Sequence, residues 1–269
     1  MITYESLIEQ AKTRGMPQTK IRGILREYLQ IIILKEVYKT ELGKKLYFTG
    51  GTYLRLVHNL KRFSEDLDFN TKNMKKKQFE DLSTKVKSEL KRRGFEVVLE
   101  FDHWHNIYAS RFIFNKIEKV YGIVSKYSKK QGIIIKFETN NPKWAIKLET
   151  ETISGYGELY PCICSNKSAL FADKIDALIK KHRARHLYDI IFMLSNNCPI
   201  NRDVLKSFGI TEDPLKVIQD RVNSFSKSDL KKQAEGLRPF LFDEYDSELI
   251  VNAKDIMPSL LKKYQKASV

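Results

Sequence analysis

Apolar residues at helical spacing mark the beginning of the chain. They predict a short helix from Ser6 to Lys12 and a long one from Thr19 to Thr40, in which apolar side chains three and four positions apart form one face. Gly43 follows as a helix-ending glycine. The chain is therefore predicted to begin with helices, ahead of any strand.

The pattern changes to shorter segments over residues 44–70. It predicts a strand from Leu46 to Thr49, a turn at Gly50-Gly51, a helix from Thr52 to Leu60 and a strand from Asp66 to Asn70. Strand and helix signals thus alternate here, which is typical of a sheet covered by helices.

Longer segments follow. A charged amphipathic helix is predicted from Lys75 to Arg93, and Gly94 ends it. The stretch from Asn115 to Lys130 is ambiguous, and from Ser168 onward the pattern is helical to the end. Alternating β-branched and aromatic residues predict four more strands, at Phe95–Phe101, Ile107–Phe114, Gly132–Glu138 and Trp144–Glu151.

Together these segments predict an α+β fold. A mixed sheet with flanking helices is preceded by an N-terminal helical segment and followed by a C-terminal helical bundle. Apolar residues make up 42% of the 269 positions, enough for a substantial core. Two domains are predicted: residues 1–160 hold the N-terminal helices and a mixed α/β core, and residues 161–269 form a helical domain.

The chain is strongly basic. Lysine and arginine number 48 against 33 acidic residues, a formal charge of +15. Such a charge favours polyanionic partners such as RNA, DNA or an acidic protein, although a merely solvated basic surface is the alternative. Candidate contacts to a nucleic acid are the runs Lys72–Lys77 and Lys126–Lys130, and Arg92 with Trp104 and Tyr108.

The cysteine content suggests a reducing compartment. Cys162, Cys164 and Cys198 are too few for a disulfide framework, and the first two lack clear partners for a zinc site. The segment from Met1 to Arg14 has no apolar signal core, and no apolar run reaches membrane-spanning length. We therefore expect a cytoplasmic protein without a membrane partner.

The candidate chemistry begins with an acidic pair. In a strand, alternate side chains share a face, so Ser64, Asp66 and Asp68 point one way while the apolar residues between them point into the core. Two carboxylates held this close repel each other, and a hard cation relieves the repulsion. A solvated acidic strand is the commoner explanation when such a pair stands alone.

A glycine pair upstream changes this assessment. Gly50-Gly51 follows a predicted strand and lets the backbone approach a ligand closely. Thr52 then begins a helix whose free amides favour phosphate. A phosphate cradle just ahead of two metal-binding carboxylates is an arrangement that holds a nucleoside triphosphate with Mg²⁺.

These residues resemble the first motif of the DNA polymerase β-like nucleotidyltransferase superfamily. More narrowly, they resemble the AbiEii-type nucleotidyltransferase toxins of type IV toxin–antitoxin systems. That family typically has Gly-Gly-(Thr/Ser)-x-Leu, a basic segment and Ser-x-Asp-Leu-Asp-Phe. This chain has Gly50-Gly51-Thr52-Tyr53-Leu54, then Lys61-Arg62-Phe63-Ser64-Glu65-Asp66-Leu67-Asp68-Phe69.

The resemblance continues downstream. The family's lysine on a helix after the sheet matches Lys174, whose implied role is to bind the triphosphate, and the aspartate of its last motif matches Asp189. An ion pair between Asp189 and Arg185, one helical turn away, is compatible with a role in the site. His186 departs from the family pattern, in which aspartate is common at this position.

The superfamily usually employs a third carboxylate on a neighbouring strand. Glu149 and Glu151 share one face of a predicted strand, and Glu149 is favoured because it directly follows the apolar core of that strand. Its implied role is to ligate the metal with Asp66 and Asp68 and to help deprotonate the attacking hydroxyl.

The chain is thus predicted to be a nucleotidyltransferase that uses Mg²⁺ or Mn²⁺ and an NTP. The family implies an RNA acceptor, with the tRNA 3′ end as the leading candidate, a toxin role and a cognate antitoxin as partner. The predicted catalytic residues are Asp66, Asp68, Glu149, Lys174 and Asp189, with the first three as metal ligands. The predicted nucleotide-binding residues are Gly50, Gly51, Thr52, Ser64 and Lys174.

Three alternatives stay open at this point. The acceptor can be a small molecule or a protein hydroxyl, which needs no basic surface. The chain can be a non-catalytic RNA-binding module, against which the intact acidic pair and Lys174 argue. The basic face can serve mainly to dock an acidic antitoxin, which is compatible with catalysis.

Overall fold

A computed structural model describes residues 1–123, 132–181 and 183–267. It divides into two compact units, residues 1–142 with 148–165 and residues 143–147 with 166–269. The domain boundary predicted after residue 160 falls inside a strand, and the first unit extends to the end of that strand at Ser165.

The first unit contains the sheet and its helices. The helices are α1 (Tyr4–Thr13), α2 (Ile21–Tyr38), α3 (Gly50–His58), α4 (Lys76–Arg92) and α5 (Ile117–Val120). The strands are β1 (Leu46–Thr49), β2 (Leu67–Thr71), β3 (Val98–Phe101), β4 (Tyr108–Phe114), β5 (Ile133–Asn140), β6 (Leu148–Gly155) and β7 (Glu158–Ser165). The predicted basic run Lys126–Lys130 lies outside the described residues.

Among the described residues the strands form one seven-stranded sheet in the order β3-β4-β5-β2-β1-β7-β6. Strand β2 runs antiparallel to β1 and parallel to β5, and β1 runs parallel to β7. The sheet is therefore mixed, and the prediction of an α+β fold with flanking helices is confirmed.

One face of the sheet carries the core of this unit. Phe48 of β1 lies opposite Phe69 of β2, with 5.5 Å between ring centroids, and Phe69 contacts Phe137 of β5 at 5.0 Å. Phe79 of α4 stacks on Phe137 at 5.3 Å, and Tyr53 of α3 meets Phe48 edge-on at 5.9 Å. Helices α3 and α4 therefore cover this face.

Strand β7 was not predicted. Its alternation is clear in the structure, where Tyr160, Cys162 and Cys164 are buried. Pro161 weakens the strand pattern because proline removes a backbone donor. Its position is tolerated because β1 pairs with β7 further along, at Cys164.

The second unit is helical, as predicted for the C-terminal part of the chain. Tyr264 in the last helix donates a hydrogen bond, 2.6 Å long, to the backbone carbonyl of Cys198, which follows the helix Ala184–Ser195. Cys198 of this unit, like Cys162 and Cys164 in β7, is a buried free thiol. The helices are α6 (Lys167–Lys180), α7 (Ala184–Ser195), α8 (Arg202–Ser207), α9 (Pro214–Asn223), α10 (Lys227–Leu237), α11 (Glu248–Val251) and α12 (Ala253–Ala267).

Candidate active site

The predicted acidic pair lies where β2 begins. Asp66 directly precedes the strand and Asp68 lies within it, and both side chains are partly exposed. Residues directly opposite each other on neighbouring strands share a face. Asp68 is opposite Thr49 of β1 on one side and Glu138 of β5 on the other, so its carboxylate lies on the face opposite the aromatic core.

Glu138 is the carboxylate that the sheet brings to Asp68. It is mostly buried, and its Oε2 accepts a hydrogen bond from Lys136 Nζ at 2.9 Å. Sequence reasoning missed it, although a signal was present. Alternation along β5 places Lys136 and Glu138 on the face opposite the apolar Ile135 and Phe137.

The predicted third ligand, Glu149, lies elsewhere. In β6 it is opposite Cys164 of β7, which in turn is opposite Phe48 on the helix-covered face. Two intervening strands, β1 and β7, separate β6 from β2, a distance of about 14 Å at the usual strand spacing. Glu149 is therefore on the other side of the sheet from Asp68 and cannot share one ion with it.

The alternative candidate, Glu151, shares the face of Glu149. Both carboxylates lie near Tyr53 of α3, and they raise the pKa of its hydroxyl together with Cys164, although burial is the main cause. The strand prediction was correct about which residues alternate. It was wrong about the partner of Asp66 and Asp68, because strand order is not contained in local alternation.

Gly50 forms the turn from β1 into α3. Its φ of +83° is a conformation that L side chains rarely adopt. A Cβ at this position would lie 2.9 Å from the Cβ of Asp68 and closer still to its carboxylate. Glycine here therefore brings the start of α3 against the acidic pair.

Arg62 and Ser64 lie over the next residue, Gly51. A Cβ on Gly51 would lie 2.8 Å from both Arg62 Nη2 and Ser64 Oγ. Arg62 is only 3% exposed, and its Nη1 donates to the carbonyl of Phe63 at 3.0 Å. A guanidinium, a hydroxyl and the N-terminus of α3 therefore meet at one place, which favours an anion. Sequence reasoning placed Ser64 here but treated Arg62 only as part of a basic segment.

The hydroxyl of Thr52 is used within the protein. Thr52 is fully buried and donates to the backbone carbonyl of Asp66. Thr52 is one of the predicted nucleotide-binding residues, but its hydroxyl makes this structural contact. Thr52 ties the first turn of α3 to the residue that opens β2, which positions Asp66.

Lys174 and Asp189 form a buried ion pair in the second unit. Lys174 Nζ in α6 lies 2.8 Å from Asp189 Oδ2 in α7, and Asp189 is fully buried. The structure therefore gives Asp189 a lysine partner from the neighbouring helix, whereas its ion pair with Arg185 stays a prediction. The two residues that the family resemblance singled out in this part of the chain are in direct contact.

His186 lies one turn before Asp189 and is 7% exposed. Neither ring nitrogen has a hydrogen-bond partner among the residues that the structure describes. Burial, followed by the nearby Lys174 ammonium, lowers the pKa of His186 to about 3, against a smaller opposing effect of Asp189. The imidazole is therefore neutral near pH 7, where an aspartate would carry a negative charge.

The carboxylates suit a magnesium site that is completed by substrate. Across residues 1–123, 132–181 and 183–267, no three His, Cys, Asp or Glu side chains are gathered into a metal-binding group. Mg²⁺ is usually held by one or two carboxylates together with substrate phosphates and water. Asp66 and Asp68, next to the glycine turn, fit this kind of site.

A mixed sheet that presents two aspartates beside a glycine turn and a helix N-terminus defines the class of the protein, a nucleotidyltransferase. The family follows from a direct match. The model of the nucleotidyl transferase AbiEii toxins of type IV toxin–antitoxin systems matches residues 32–249, and the chain belongs to this family. The predicted resemblance is thereby confirmed.

Solved structures show the same fold. JHP933 from Helicobacter pylori is similar with a TM-score of 0.60 and 19% identity, over 91% of this chain and 94% of that one. MenT4, the nucleotidyltransferase toxin Rv2826c from Mycobacterium tuberculosis H37Rv, is similar with a TM-score of 0.59 and 17% identity, over 99% of this chain and 93% of that one. A comparison with curated protein sequences gives no match.

Membrane insertion by a helix finds no support in the part of the chain that the structure describes. None of its helices combines the length and the apolar character that a bilayer crossing requires.

Proposed function

We propose that this nucleotidyltransferase toxin transfers a nucleotide from an NTP to the 3′ hydroxyl of an RNA, with the tRNA 3′ end as the leading acceptor. The observation that carries the proposal is the position of Asp68. It lies between the glycine turn at the start of α3 and a second carboxylate, Glu138. A phosphate site and a carboxylate site therefore flank the same aspartate.

We assign the metal to Asp66 and Asp68 alone, and we assign Glu138, in place of Glu149, as the third carboxylate of the site, which acts on the acceptor hydroxyl rather than on the metal. The divalent cation, Mg²⁺ or Mn²⁺, supplies charge neutralisation on the phosphates when it is bound. Thr52 holds the backbone of Asp66 in position, and Gly50 leaves room for the side chain of Asp68. Glu138 accepts the proton of the acceptor hydroxyl.

The triphosphate is assigned to the start of α3. The amide of Gly51, the hydroxyl of Ser64 and the guanidinium of Arg62 converge there and bind phosphate oxygens. For Lys174, which belongs to the second unit, the family implies a triphosphate-binding role, and the ion pair with Asp189 holds its ammonium in place within that unit. Catalysis then comes mainly from positioning and electrostatic stabilisation, while pyrophosphate leaves.

The charge of the chain supports a polyanionic acceptor. At +15, it favours binding to RNA through release of counterions. Lys72, Lys75, Lys76 and Lys77 are exposed and can contribute backbone contacts. The toxin family also implies a cognate antitoxin, and the same basic character suits an acidic partner protein.

The test is a transfer assay on total tRNA with Mg²⁺ and each labelled NTP in turn. Wild type labels RNA, and Asp68→Ala reduces labelling about 100-fold or more because it removes a metal ligand from the transition state. Glu138→Gln gives a comparable loss, whereas Glu149→Gln retains most activity because its carboxylate lies on the other face.

The outcome separates the alternatives. Labelling of a small molecule or a protein, with none on RNA, overturns the acceptor assignment. Equal labelling by wild type and Asp68→Ala removes the metal assignment. Loss with Glu149→Gln and retention with Glu138→Gln reverses the choice of third carboxylate.

A further inference from the structure

Trp104 lies near the tip of the β3–β4 hairpin, on the same face of the sheet as Asp68. The register that pairs Phe101 with Ser110 continues beyond β3 to a bridge between Trp104 and Ile107. Two backbone hydrogen bonds between these residues, of 3.1 and 2.9 Å, hold the turn. The indole is therefore presented from a hydrogen-bonded turn and is partly exposed.

Lys136 joins Trp104 to the carboxylates. Its Nζ lies 4.3 Å from the centroid of the Trp104 ring and 2.9 Å from Oε2 of Glu138. Glu138 in turn lies opposite Asp68. The ammonium group of Lys136 thus lies between the indole of Trp104 and the carboxylate of Glu138. The cation–π contact restrains the orientation of the indole.

The geometry of nucleotide transfer indicates on which side of Asp68 each substrate lies. Attacking and leaving oxygens lie roughly in line during transfer to phosphorus. The triphosphate site at Gly51 and Arg62 is on the β1 side of Asp68, so pyrophosphate leaves toward that side. The acceptor hydroxyl then approaches from the β5 side, where Glu138 and Trp104 lie.

We propose that Trp104 is the platform on which the base of the acceptor's 3′-terminal nucleotide stacks. The inference rests on the proposed function and adds the group that positions its acceptor. Every nucleobase has a π-face, so stacking on an indole is tolerant of sequence. The platform therefore selects a polynucleotide end over an acceptor without a base.

Kinetics on a short single-stranded RNA give the first test. Trp104→Ala raises the KM for this RNA about 5- to 150-fold, the range that loss of one base–aromatic stack implies. The KM for the NTP and the melting temperature stay close to wild type, and Trp104→Phe recovers most of the affinity for RNA. An unchanged KM for RNA, or an equal rise in both KM values, overturns the proposal.

An acceptor with an abasic 3′-terminal nucleotide isolates the stack. It keeps the ribose and the attacking hydroxyl but lacks the base. Wild type uses the complete RNA in preference to the abasic one, and Trp104→Ala loses this preference. If Trp104→Ala discriminates as strongly as wild type, the base is bound elsewhere and the proposal fails.

Fluorescence separates failure of this inference from failure of the proposed function. The chain has two tryptophans, so Trp144→Phe leaves Trp104 as the only indole. The complete RNA quenches its emission and the abasic RNA does not, with no turnover required. Quenching without nucleotide transfer preserves the platform and removes the transfer reaction. Nucleotide transfer without quenching preserves the proposed function and overturns the role of Trp104 as a platform.

Discussion

Two glycines shape the site because they lack side chains. Gly50 and Gly51 have no side chains, and a Cβ on either would collide with Asp68, or with Arg62 and Ser64. The glycines therefore allow the carboxylate, the guanidinium and the start of α3 to occupy a small space. This close packing explains why the motif has glycine at both positions.

Gly50→Ala tests this crowding, with Gly209→Ala as a matched control. The two glycines have nearly equal φ, +83° and +84°, but a Cβ at Gly209 meets none of the described residues within 4 Å. Both substitutions are expected to lower the free energy of unfolding by about 1–2 kcal/mol through backbone strain. Only Gly50→Ala also displaces Asp68, and it lowers kcat/KM for transfer about tenfold or more. Denaturant titration and the transfer assay measure the two effects, and equal activity of the two variants contradicts the expectation.

His186 makes the stability depend on pH. Its pKa of about 3 in the folded protein is below the ordinary value of 6.5, so the unfolded chain takes up the proton first. The free energy of unfolding therefore falls as the pH drops from about 6.5 toward 3. One proton contributes at most about 1.4 kcal/mol per pH unit.

His186→Gln removes this dependence, which urea titrations at several pH values can measure. Between pH 6 and pH 4, the slope of the free energy of unfolding against pH decreases by up to about 1.4 kcal/mol per pH unit, which corresponds to one proton. His105→Asn is the control, because His105 is exposed and asparagine accepts its φ of 49°. A slope that His186→Gln leaves unchanged shows that the imidazole is protonated in the folded protein.

At the scale of elements, one buried carboxylate connects three helices of the first unit. Glu27 of α2 accepts from Arg14, which follows α1, at 3.0 Å and from Arg55 of α3 at 2.8 Å. Glu27 and Arg55 are each 2% exposed. The pair secures α3, whose first turn forms the phosphate site.

Glu27→Gln is expected to lower the free energy of unfolding by about 3–5 kcal/mol, because it leaves buried arginine charge without its counter-ion. Glu41→Gln is the control, since Glu41 pairs with Lys44 at 2.5 Å while 85% exposed. There the expected change is at most about 1 kcal/mol. Chemical denaturation compares the two, and similar values for both would falsify the role assigned to Glu27.

Elements also show where local patterns stop being informative. The predicted strand from Trp144 to Glu151 begins at Leu148 in the structure, and β7 was missed altogether. Both segments have their true limits set by pairing with each other, from Leu148 opposite Ser165 to Gly155 opposite Glu158. A hairpin of this kind is stabilised across strands, so neither strand carries the complete signal alone.

At the scale of the whole molecule, the family assignment agrees with the charge and with the fold. The match over residues 32–249 covers most of both units, and the formal charge of +15 supports the polyanionic acceptor that we propose. The predicted catalytic residues are divided between the units. The aspartates belong to the sheet, and the Lys174–Asp189 pair belongs to the helical unit.

The sequence by itself determined the local parts of this protein. Gly50-Gly51 and the acidic pair were recognisable because each depends on neighbours within a few positions, as do most of the helices. Lys174 was recognisable only through the family resemblance. Only the tertiary structure decided that Glu138, not Glu149, lies opposite Asp68, and that Lys136 links Trp104 to that edge. Strand order and register are set by pairings between distant segments. A one-residue change of register moves a side chain to the other face, and a change of strand order gives it different neighbours.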